Sequence, residues 1–247
     1  MIRLTRPPRP TELTVELQQE ATAEFKATKK SVWNRTFLRS ALRAMAYGKC
    51  AFCECKLGEE SKYLEVEHFA HKDGYPDLVM EWTNLLPACR RCNGQKLTHD
   101  VVTSPIINPA DDDPRASLGL RLYRFVGLDE KGRTTIDVLE LNDYDRLMLS
   151  RFRVGDAVLQ QLDEVACQLR SFDPNQADLR TKNRIFRQLR NLMREAQPNA
   201  EYSATVATAI TQAQDYAFAK SELERHQLWT KEFTELDFGM RAIAYRN

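Results

Sequence analysis

Two short stretches decide how the centre of this chain folds: CAFC at residues 50–53 and CRRC at residues 89–92. Each stretch places two cysteines around one tight turn, and two such turns complete a tetrahedral site for a soft cation. The start of the chain lacks the apolar core of a secretory signal, so we expect a cytoplasmic protein whose thiols are reduced. The spacing therefore predicts a structural Zn²⁺ ion bound by Cys50, Cys53, Cys89 and Cys92.

The two remaining cysteines, Cys55 and Cys167, have no place in this pattern. Cys55 can replace Cys53 as a ligand, although the two-residue spacing favours Cys53. Four protein ligands leave no open coordination position on the metal. We therefore expect the zinc ion to stabilise the fold rather than to take part in catalysis.

Polar residues of the kind that phosphate chemistry requires lie between the two cysteine pairs and just after them. In chain order they are Glu67, His68, Asn84, Asn93 and Lys96. Residues 63–69 alternate apolar and polar side chains and predict a strand that ends near His68, and residues 92–96 predict the beginning of a short helix. A neutral imidazole suits a general base, and side-chain oxygens suit a hard cation.

This order resembles the motif of the HNH endonucleases, which has an acidic-His pair at the end of a strand, a central Asn, and a CxxCN run with a Lys nearby. The resemblance covers residues 48–99, about a fifth of the chain. It implies a zinc-stapled ββα-metal unit in which His68 is the general base that activates water. It also implies that Glu67 and Asn93 bind one Mg²⁺ or Mn²⁺ ion.

Several roles within the motif stay open. By the resemblance, Asn84 would either orient His68 through its amide or hold the loop. Lys96 or His99 would contact the phosphate or the leaving oxygen. Glu67 stands where the family more often has Asp, and its longer side chain leaves open whether it contacts the metal directly or through water.

Charge is distributed unevenly along the chain, although the net charge is only +1. When Lys and Arg are counted against Asp and Glu, residues 1–49 carry +6, residues 50–113 carry −6 and residues 114–247 carry +1. An acidic centre that also carries cysteines is typical of a site for a divalent cation. We expect His71 to be structural and the three aspartates at 111–113 to form a solvated turn rather than a second metal site.

Three arginines, Arg35, Arg39 and Arg43, recur every four residues and share one face of a predicted helix. This face can bind nucleic-acid phosphates beside the site, or it can be a solvated surface or a contact with a partner. A second basic face on a later helix has the same alternatives, of which the solvated surface is favoured. Its residues are Arg180, Arg184, Arg187, Arg190 and Arg194.

The periodicity of the whole chain predicts a mainly α fold with a small α+β insert. We expect helices at residues 12–30, 31–47, 143–171, 176–196 and 203–236, and a hairpin of strands 120–126 and 134–139 turned at 129–132. The expected divisions are a basic N-terminal helical segment (1–47), the zinc-bound HNH unit (48–113), a hairpin connector (114–142) and a C-terminal helical domain (143–247). No apolar run approaches the roughly 20 residues that a bilayer requires, so we expect no membrane partner.

Further stretches outside the HNH core narrow the resemblance. They are the Arg- and Pro-rich residues 1–10, EWTNLLPAC at 81–89, the Asn108-Pro109 and Asp112-Asp113-Pro114 runs, and IDVLELN at 136–142. With these stretches the chain resembles the PtuB-type HNH nucleases of Septu and retron-linked antiphage systems. The resemblance implies an effector that works with a PtuA-type ABC ATPase and, in retron-linked systems, with an RNA/DNA–reverse transcriptase complex.

The leading hypothesis is therefore a metal-dependent endonuclease that hydrolyses nucleic-acid phosphodiesters. We favour DNA as the substrate, and tRNA or another RNA stays open because no base-reading motif is visible. The alternative is a non-catalytic zinc module that binds nucleic acid or a protein partner, but it leaves the acidic-His pair and both asparagines without a role. A nuclease of the same chemistry that acts alone is a third possibility.

Overall fold

The structure, a computed structural model, describes residues 1–58, 63–173 and 179–246. It divides into two compact units: unit 1 comprises Met1–Leu118 and Phe125–Asn142, and unit 2 comprises Gly119–Arg124 and Asp143–Asn247. Helices dominate both units, and the described residues contain two sheets of two strands each. This confirms the mainly α fold class with a small β-containing insert. The finer division of the chain into four segments stays a prediction.

The N-terminal helices of unit 1 carry the first part of its core. Helix α1 (Val15–Thr28) begins at Thr14, whose hydroxyl accepts a hydrogen bond from the backbone N–H of Leu17. Helix α2 (Thr36–Met45) buries Leu38, Leu42 and Met45 along one face. This confirms the apolar stripe that the sequence predicts for α2.

The cap of helix α2 is Arg35, four residues later than the predicted cap at Ser31. The intervening residues take an irregular path in which Val32 is buried and the Trp33 ring lies 5.8 Å from the Phe25 ring. Tertiary burial of these apolar side chains outweighs the local helix propensity. Arg35 is consequently an extended residue before the helix, with φ −111° and ψ 138°, and not part of the predicted helical face.

A ββα arrangement follows at the centre of unit 1. Strand β1 (Leu64–His68) pairs in antiparallel register with β2 (Leu85–Cys89), so that His68 lies opposite Leu85. Helix α3 (Arg90–Lys96) begins directly after β2, and the Sγ of Cys89 accepts a hydrogen bond from the backbone N–H of Cys92. The predicted strand at 63–69 is confirmed. A short helix is present as predicted, but residues 92–96 end it rather than begin it.

The predicted hairpin is wrong in both strands, because the observed turn at residues 122–123 lies inside the predicted first strand. The second sheet consists of β3 (Leu118–Arg121) and β4 (Arg124–Gly127), and residues Glu130–Val138 form helix α4. Asp129 caps this helix, because its carboxylate accepts a hydrogen bond from the N–H of Gly132 at 2.7 Å. The Asp-Glu-Lys-Gly run at 129–132 therefore begins a helix. Gly132 lets this helix pack closely against the backbone of Ser117, because a Cβ at Gly132 would lie 2.0 Å from the carbonyl oxygen of Ser117.

Unit 2 is a bundle of helices. After a π-helical turn at Tyr144–Met148 come α5 (Leu149–Arg170), α6 (Leu179–Glu195), α7 (Ser203–Gln212), α8 (Gln214–Arg225) and α9 (Lys231–Arg241). Helix α5 packs against α6, α7 and α8 around a shared apolar core. Among the described residues, no helix has both the length and the apolar character needed to cross a membrane.

The single helix predicted for residues 203–236 is wrong, because three helices occupy this range. Ala213 is extended, with ψ 132°, and separates α7 from α8, while residues 226–230 separate α8 from α9. A straight helix over this range would be about 50 Å long, well beyond the ~30 Å diameter of a small domain. The breaks let Ile210, Leu223 and Phe233 reach one core. The predicted helix start at 176 and Pro174 lie outside the described residues.

Candidate metal-binding and catalytic site

The four cysteines of the two knuckles come together beside the β2–α3 junction. The Sγ atoms of Cys50, Cys53, Cys89 and Cys92 all lie within 4.8 Å of one another, and all four residues are buried. The Sγ atoms of Cys53 and Cys89 are 3.8 Å apart. A Zn–S bond of about 2.3 Å in tetrahedral geometry requires an S–S separation of about 3.8 Å. The donor set therefore fits a structural metal such as zinc.

Cys55 lies next to this cluster but is not one of its four members. Its backbone carbonyl accepts a hydrogen bond from the N–H of Cys50 at 2.9 Å, which closes the first knuckle. The grouping of thiols thus contains Cys53, as the two-residue spacing favours. None of the six cysteines of the chain is in a disulfide, and Cys167 is an exposed thiol in unit 2.

His68, at the end of β1, is buried, with only 6% of its surface exposed. Its Nε2 atom lies 3.0 Å from the backbone oxygen of Val79, and its ring meets the Trp33 ring edge-on at 4.6 Å. Burial lowers the pKa of His68 to about 4, so the imidazole is neutral at physiological pH. Because a carbonyl oxygen only accepts hydrogen bonds, Nε2 carries the ring proton and Nδ1 carries the free lone pair.

Glu67 and Lys96 form an ion pair in the interior, where they are 2% and 1% exposed. The Nζ of Lys96 lies 2.8 Å from Oε1 of Glu67 and donates to the backbone oxygen of His68 at 3.0 Å. Burial raises the pKa of Glu67 to about 7, against the lowering effect of Lys96. This placement does not match the phosphate contact predicted for Lys96, because protein groups enclose its ammonium.

Asn84 holds the loop that follows β1. Its Nδ2 donates to the carbonyl oxygens of Ala70 (3.0 Å) and Leu78 (3.1 Å), and its Oδ1 accepts from the N–H of Ala70 at 2.7 Å. Arg6 braces the same region, because its guanidinium donates to the carbonyl oxygens of Trp82 and Leu85. Of the two roles that the sequence leaves open for Asn84, the structure supports holding the loop.

Asn93 lies on α3 and faces β1. Its Nδ2 donates to Oε2 of Glu65 at 2.6 Å. Glu65 and Asn93 line a cavity of about 230 Å³ together with Glu67 and His68. This volume is several times the ~30 Å³ share of one water molecule, so the cavity has room for a hydrated cation.

Basic side chains lie on the rim of this cavity. Arg39 and Lys72 line it, and the Nζ of Lys72 lies 5.7 Å from the centre of the Trp33 ring. Arg35 and Arg43 do not line it; they donate to the backbone oxygens of Val32 and Leu57, respectively. Only one of the three arginines predicted to bind nucleic acid is therefore next to His68.

The second basic face is divided between ion pairs and exposed side chains. Arg190 and Arg194 both pair with Glu232, at 2.8 and 2.9 Å. The side chains of Arg180, Arg184 and Arg187 are exposed.

The other polar residues that the sequence singles out have local partners. The Nδ1 of His71 accepts from the N–H of Gly74, although the ring also lines the cavity, and the Nε2 of His99 lies 2.7 Å from the backbone oxygen of Ser104. Each aspartate of the 111–113 run contacts a different side chain. The pairs are Asp111 with Asn108, Asp112 with Lys131, and Asp113 with Arg115.

Sequence reasoning missed several residues of the site. Glu65 had a usable signal, because it stands two residues before Glu67 on an alternating strand and so shares its face. Trp33 had none, since nothing local relates the start of a predicted helix to a strand more than thirty residues later. The contact of His68 with the backbone oxygen of Val79 could not be predicted either, because every residue has a carbonyl group and none is marked out in the sequence.

These features define a four-cysteine ββα unit with an adjoining cavity that contains carboxylates, an amide and a neutral histidine. No family model matches the chain. It is 43% identical to the Septu protein PtuB of Bacillus thuringiensis over 96% of its own length and 92% of that protein. A Septu protein PtuB of Bacillus mycoides (strain KBAB4) is 28% identical over 42% of this chain and 46% of that protein. The chain belongs to the PtuB family.

Proposed function

We propose that this chain is a metal-dependent HNH endonuclease that hydrolyses phosphodiesters of nucleic acid. The observation that carries the proposal is the state of His68, whose Nε2 proton is held by the backbone oxygen of Val79. His68, with its free lone pair on Nδ1, lines a cavity that two carboxylates and the amides of Asn34 and Asn93 also line. A general base in this state accepts a proton from water without first losing one of its own.

The burial of His68 supports the same role. With a pKa lowered to about 4, the ring stays in its basic form throughout the physiological range. The edge-on contact with Trp33 also restricts rotation of the ring. A fixed base loses less entropy when it meets its substrate than a mobile one does.

Glu67 and Asn93 would hold one Mg²⁺ or Mn²⁺ ion beside His68. The residues fit such an ion, because Glu67 and Asn93 line the same cavity and both carry side-chain oxygens, although Oε1 of Glu67 is paired with Lys96 at 2.8 Å. The bound cation would neutralise the charge that develops on the phosphate. Arg39 and Lys72, on the rim of the cavity, would attract the phosphate backbone.

Zinc on the four cysteines would have a separate, structural role. The cluster joins the first knuckle to the β2–α3 junction, and Asn93 directly follows the ligand Cys92. Holding this junction therefore fixes the position of Asn93 relative to β1. A fully ligated zinc ion has no open position for substrate.

Membership of the PtuB family supports the biological setting. We infer that the chain is an effector of an antiphage defence system, acts in the cytoplasm and works with a PtuA-type ABC ATPase, with a retron RNA/DNA–reverse transcriptase complex as a further partner in retron-linked systems. The helical unit 2 offers a platform on which an ATPase can dock. DNA is the favoured substrate, and tRNA or another RNA is the alternative.

The test co-expresses the full chain with a PtuA-type ABC ATPase and follows plasmid DNA and total RNA after induction. We compare wild type with His68→Ala, and with His226→Ala as a histidine control outside the cavity. We expect cleavage by wild type and by His226→Ala, and none by His68→Ala. Equal cleavage by wild type and His68→Ala would reject the nuclease assignment. Binding of nucleic acid without cleavage under Mg²⁺ and Mn²⁺ would favour a non-catalytic zinc module.

A further inference from the structure

The contact between Glu65 and Asn93 has a chemical consequence for the cavity. The group that Asn93 turns towards Glu65 is its Nδ2 amino group, which donates a hydrogen bond to Oε2 at 2.6 Å. The amide is planar, and its Oδ1 therefore points away from Glu65. Within the part of the chain that the structure describes, no hydrogen bond to this Oδ1 is found.

Helix α3 does not need this contact to stay in place. Arg91 donates to the backbone oxygens of Leu139 (3.0 Å) and Glu140 (2.9 Å), and Lys96 pairs with Glu67. Cys92 adds the link to the thiol cluster. The hydrogen bond from Asn93 to Glu65 thus determines whether Oδ1 or Nδ2 of the Asn93 amide faces the cavity.

We propose that Glu65 is a positioning residue that holds the Asn93 amide with Oδ1 available as a ligand for a divalent cation. This inference rests on the proposed function, in which Asn93 contributes an oxygen ligand. A hard cation binds an amide oxygen and not an amide nitrogen, so a rotated Asn93 side chain would remove a ligand and place N–H groups in the site. Residues that orient metal ligands in this way typically contribute 10- to 100-fold to metal affinity.

The experiment measures Mn²⁺ binding by electron paramagnetic resonance on the full chain with its zinc retained. Glu65→Ala removes the acceptor, and we expect the affinity for Mn²⁺ to fall by about 10- to 100-fold. Glu65→Gln keeps an acceptor oxygen but no charge, and we expect it to stay within about threefold of wild type, because a neutral hydrogen bond is weaker but still directional. Glu140→Ala is the matched control, since it removes a carboxylate that pairs with Arg91 outside the cavity.

A second readout follows the Asn93 side-chain amide by NMR without Mn²⁺. Its protons should exchange with solvent faster in Glu65→Ala than in wild type, while zinc content and melting temperature stay unchanged.

Equal Mn²⁺ affinity in wild type and Glu65→Ala would overturn the proposal, and so would a melting temperature that falls without a change in affinity. If Glu65→Gln is as damaging as Glu65→Ala, the charge of Glu65 acts directly on the cation and the positioning role is rejected. The nuclease proposal fails separately, if His68→Ala cuts as wild type does.

Discussion

The Nε2 of His68 lies 3.0 Å from the backbone oxygen of Val79, and the neighbouring backbone oxygen, that of Leu78, accepts a hydrogen bond from Asn84. The loop that Asn84 holds is therefore the loop that fixes the tautomer of His68. Asn84 acts on the histidine through two adjacent carbonyl groups and without touching the ring. The two roles that the sequence offers as alternatives for Asn84 are in this way connected.

The first prediction concerns the protonation of His68. Burial lowers its pKa to about 4, whereas an unperturbed histidine titrates near 6.5, so His68 should stay neutral as the pH falls from about 6.5 to about 4. Trp33→Ala removes the ring that covers it and should raise the pKa towards 6.5, because water then solvates the imidazolium. NMR titration of histidine-labelled protein, with zinc bound and no other divalent cation, measures both values.

The control for this titration is Phe238→Ala, which removes an aromatic ring that is 78% exposed in unit 2. It should leave the titration of His68 unchanged. A wild-type pKa close to 6.5 would contradict the buried, neutral state on which the general-base role depends.

The second prediction concerns the metal ligands. Cys92→Ser removes a fully buried thiol of the cluster and should abolish zinc binding and destabilise unit 1, since metal binding contributes directly to folding of such sites. Cys55→Ser and the exposed Cys167→Ser should both keep one zinc ion per chain. Elemental analysis of purified protein, together with melting temperature, measures the outcome. Loss of zinc in Cys55→Ser would reassign the fourth ligand.

Much of the site could be predicted because its signals are local. The CxxC pairs, the alternation of β1 and the apolar stripe of α2 each lie within a few residues, and such patterns follow from the geometry of a turn, a strand or a helix. Sequence signals were ambiguous where two different local structures explain them equally well. Asp129 suits both a turn and a helix cap, and only the packing of Gly132 against Ser117 decides between them.

The features of the fold and site that the sequence did not predict depend on contacts between distant parts of the chain. The resemblance implied that Lys96 or His99 would contact the phosphate or the leaving oxygen, but the fold encloses Lys96 next to Glu67. Trp33 leaves the predicted helix because burial against His68 and Phe25 stabilises the irregular segment. A sequence pattern carries no information about such partners until the strands and helices are assembled.

The third prediction follows from the burial of Lys96. Lys96→Met leaves the Glu67 carboxyl in the interior without its cation, so that it takes up a proton, and loss of the ion pair should cost about 3 kcal/mol of unfolding free energy. Lys131→Met is the matched control, because it breaks an ion pair with Asp112 that is one-third exposed, and should cost about 1 kcal/mol or less. Urea denaturation of both variants gives the two values. Equal, small losses would show that Lys96 is solvated and free to contact substrate.

The last prediction concerns a carboxylate in unit 2. Asp237 is buried and accepts hydrogen bonds from the Tyr216 hydroxyl (2.7 Å), the Lys220 ammonium (2.8 Å) and the Arg241 guanidinium (2.9 Å). Burial alone would raise the pKa of Asp237, but these three partners outweigh it and the pKa is lowered. The folded protein therefore holds the ionised form more tightly than the unfolded chain does, whose Asp titrates near 3.9.

Stability that comes from a lowered carboxylate pKa is fully present above about pH 3.9 and is lost as the pH falls through the folded-state value. Asp237→Asn should consequently be destabilised relative to wild type at pH 7, and the difference should shrink as the pH falls below about 4. Asp163→Asn, which alters a carboxylate 4.0 Å from Arg170 on the surface, should stay close to wild type throughout. Urea denaturation as a function of pH measures the three curves. A difference for Asp237→Asn that stays constant with pH would mean that packing, and not the charge of Asp237, stabilises this part of unit 2.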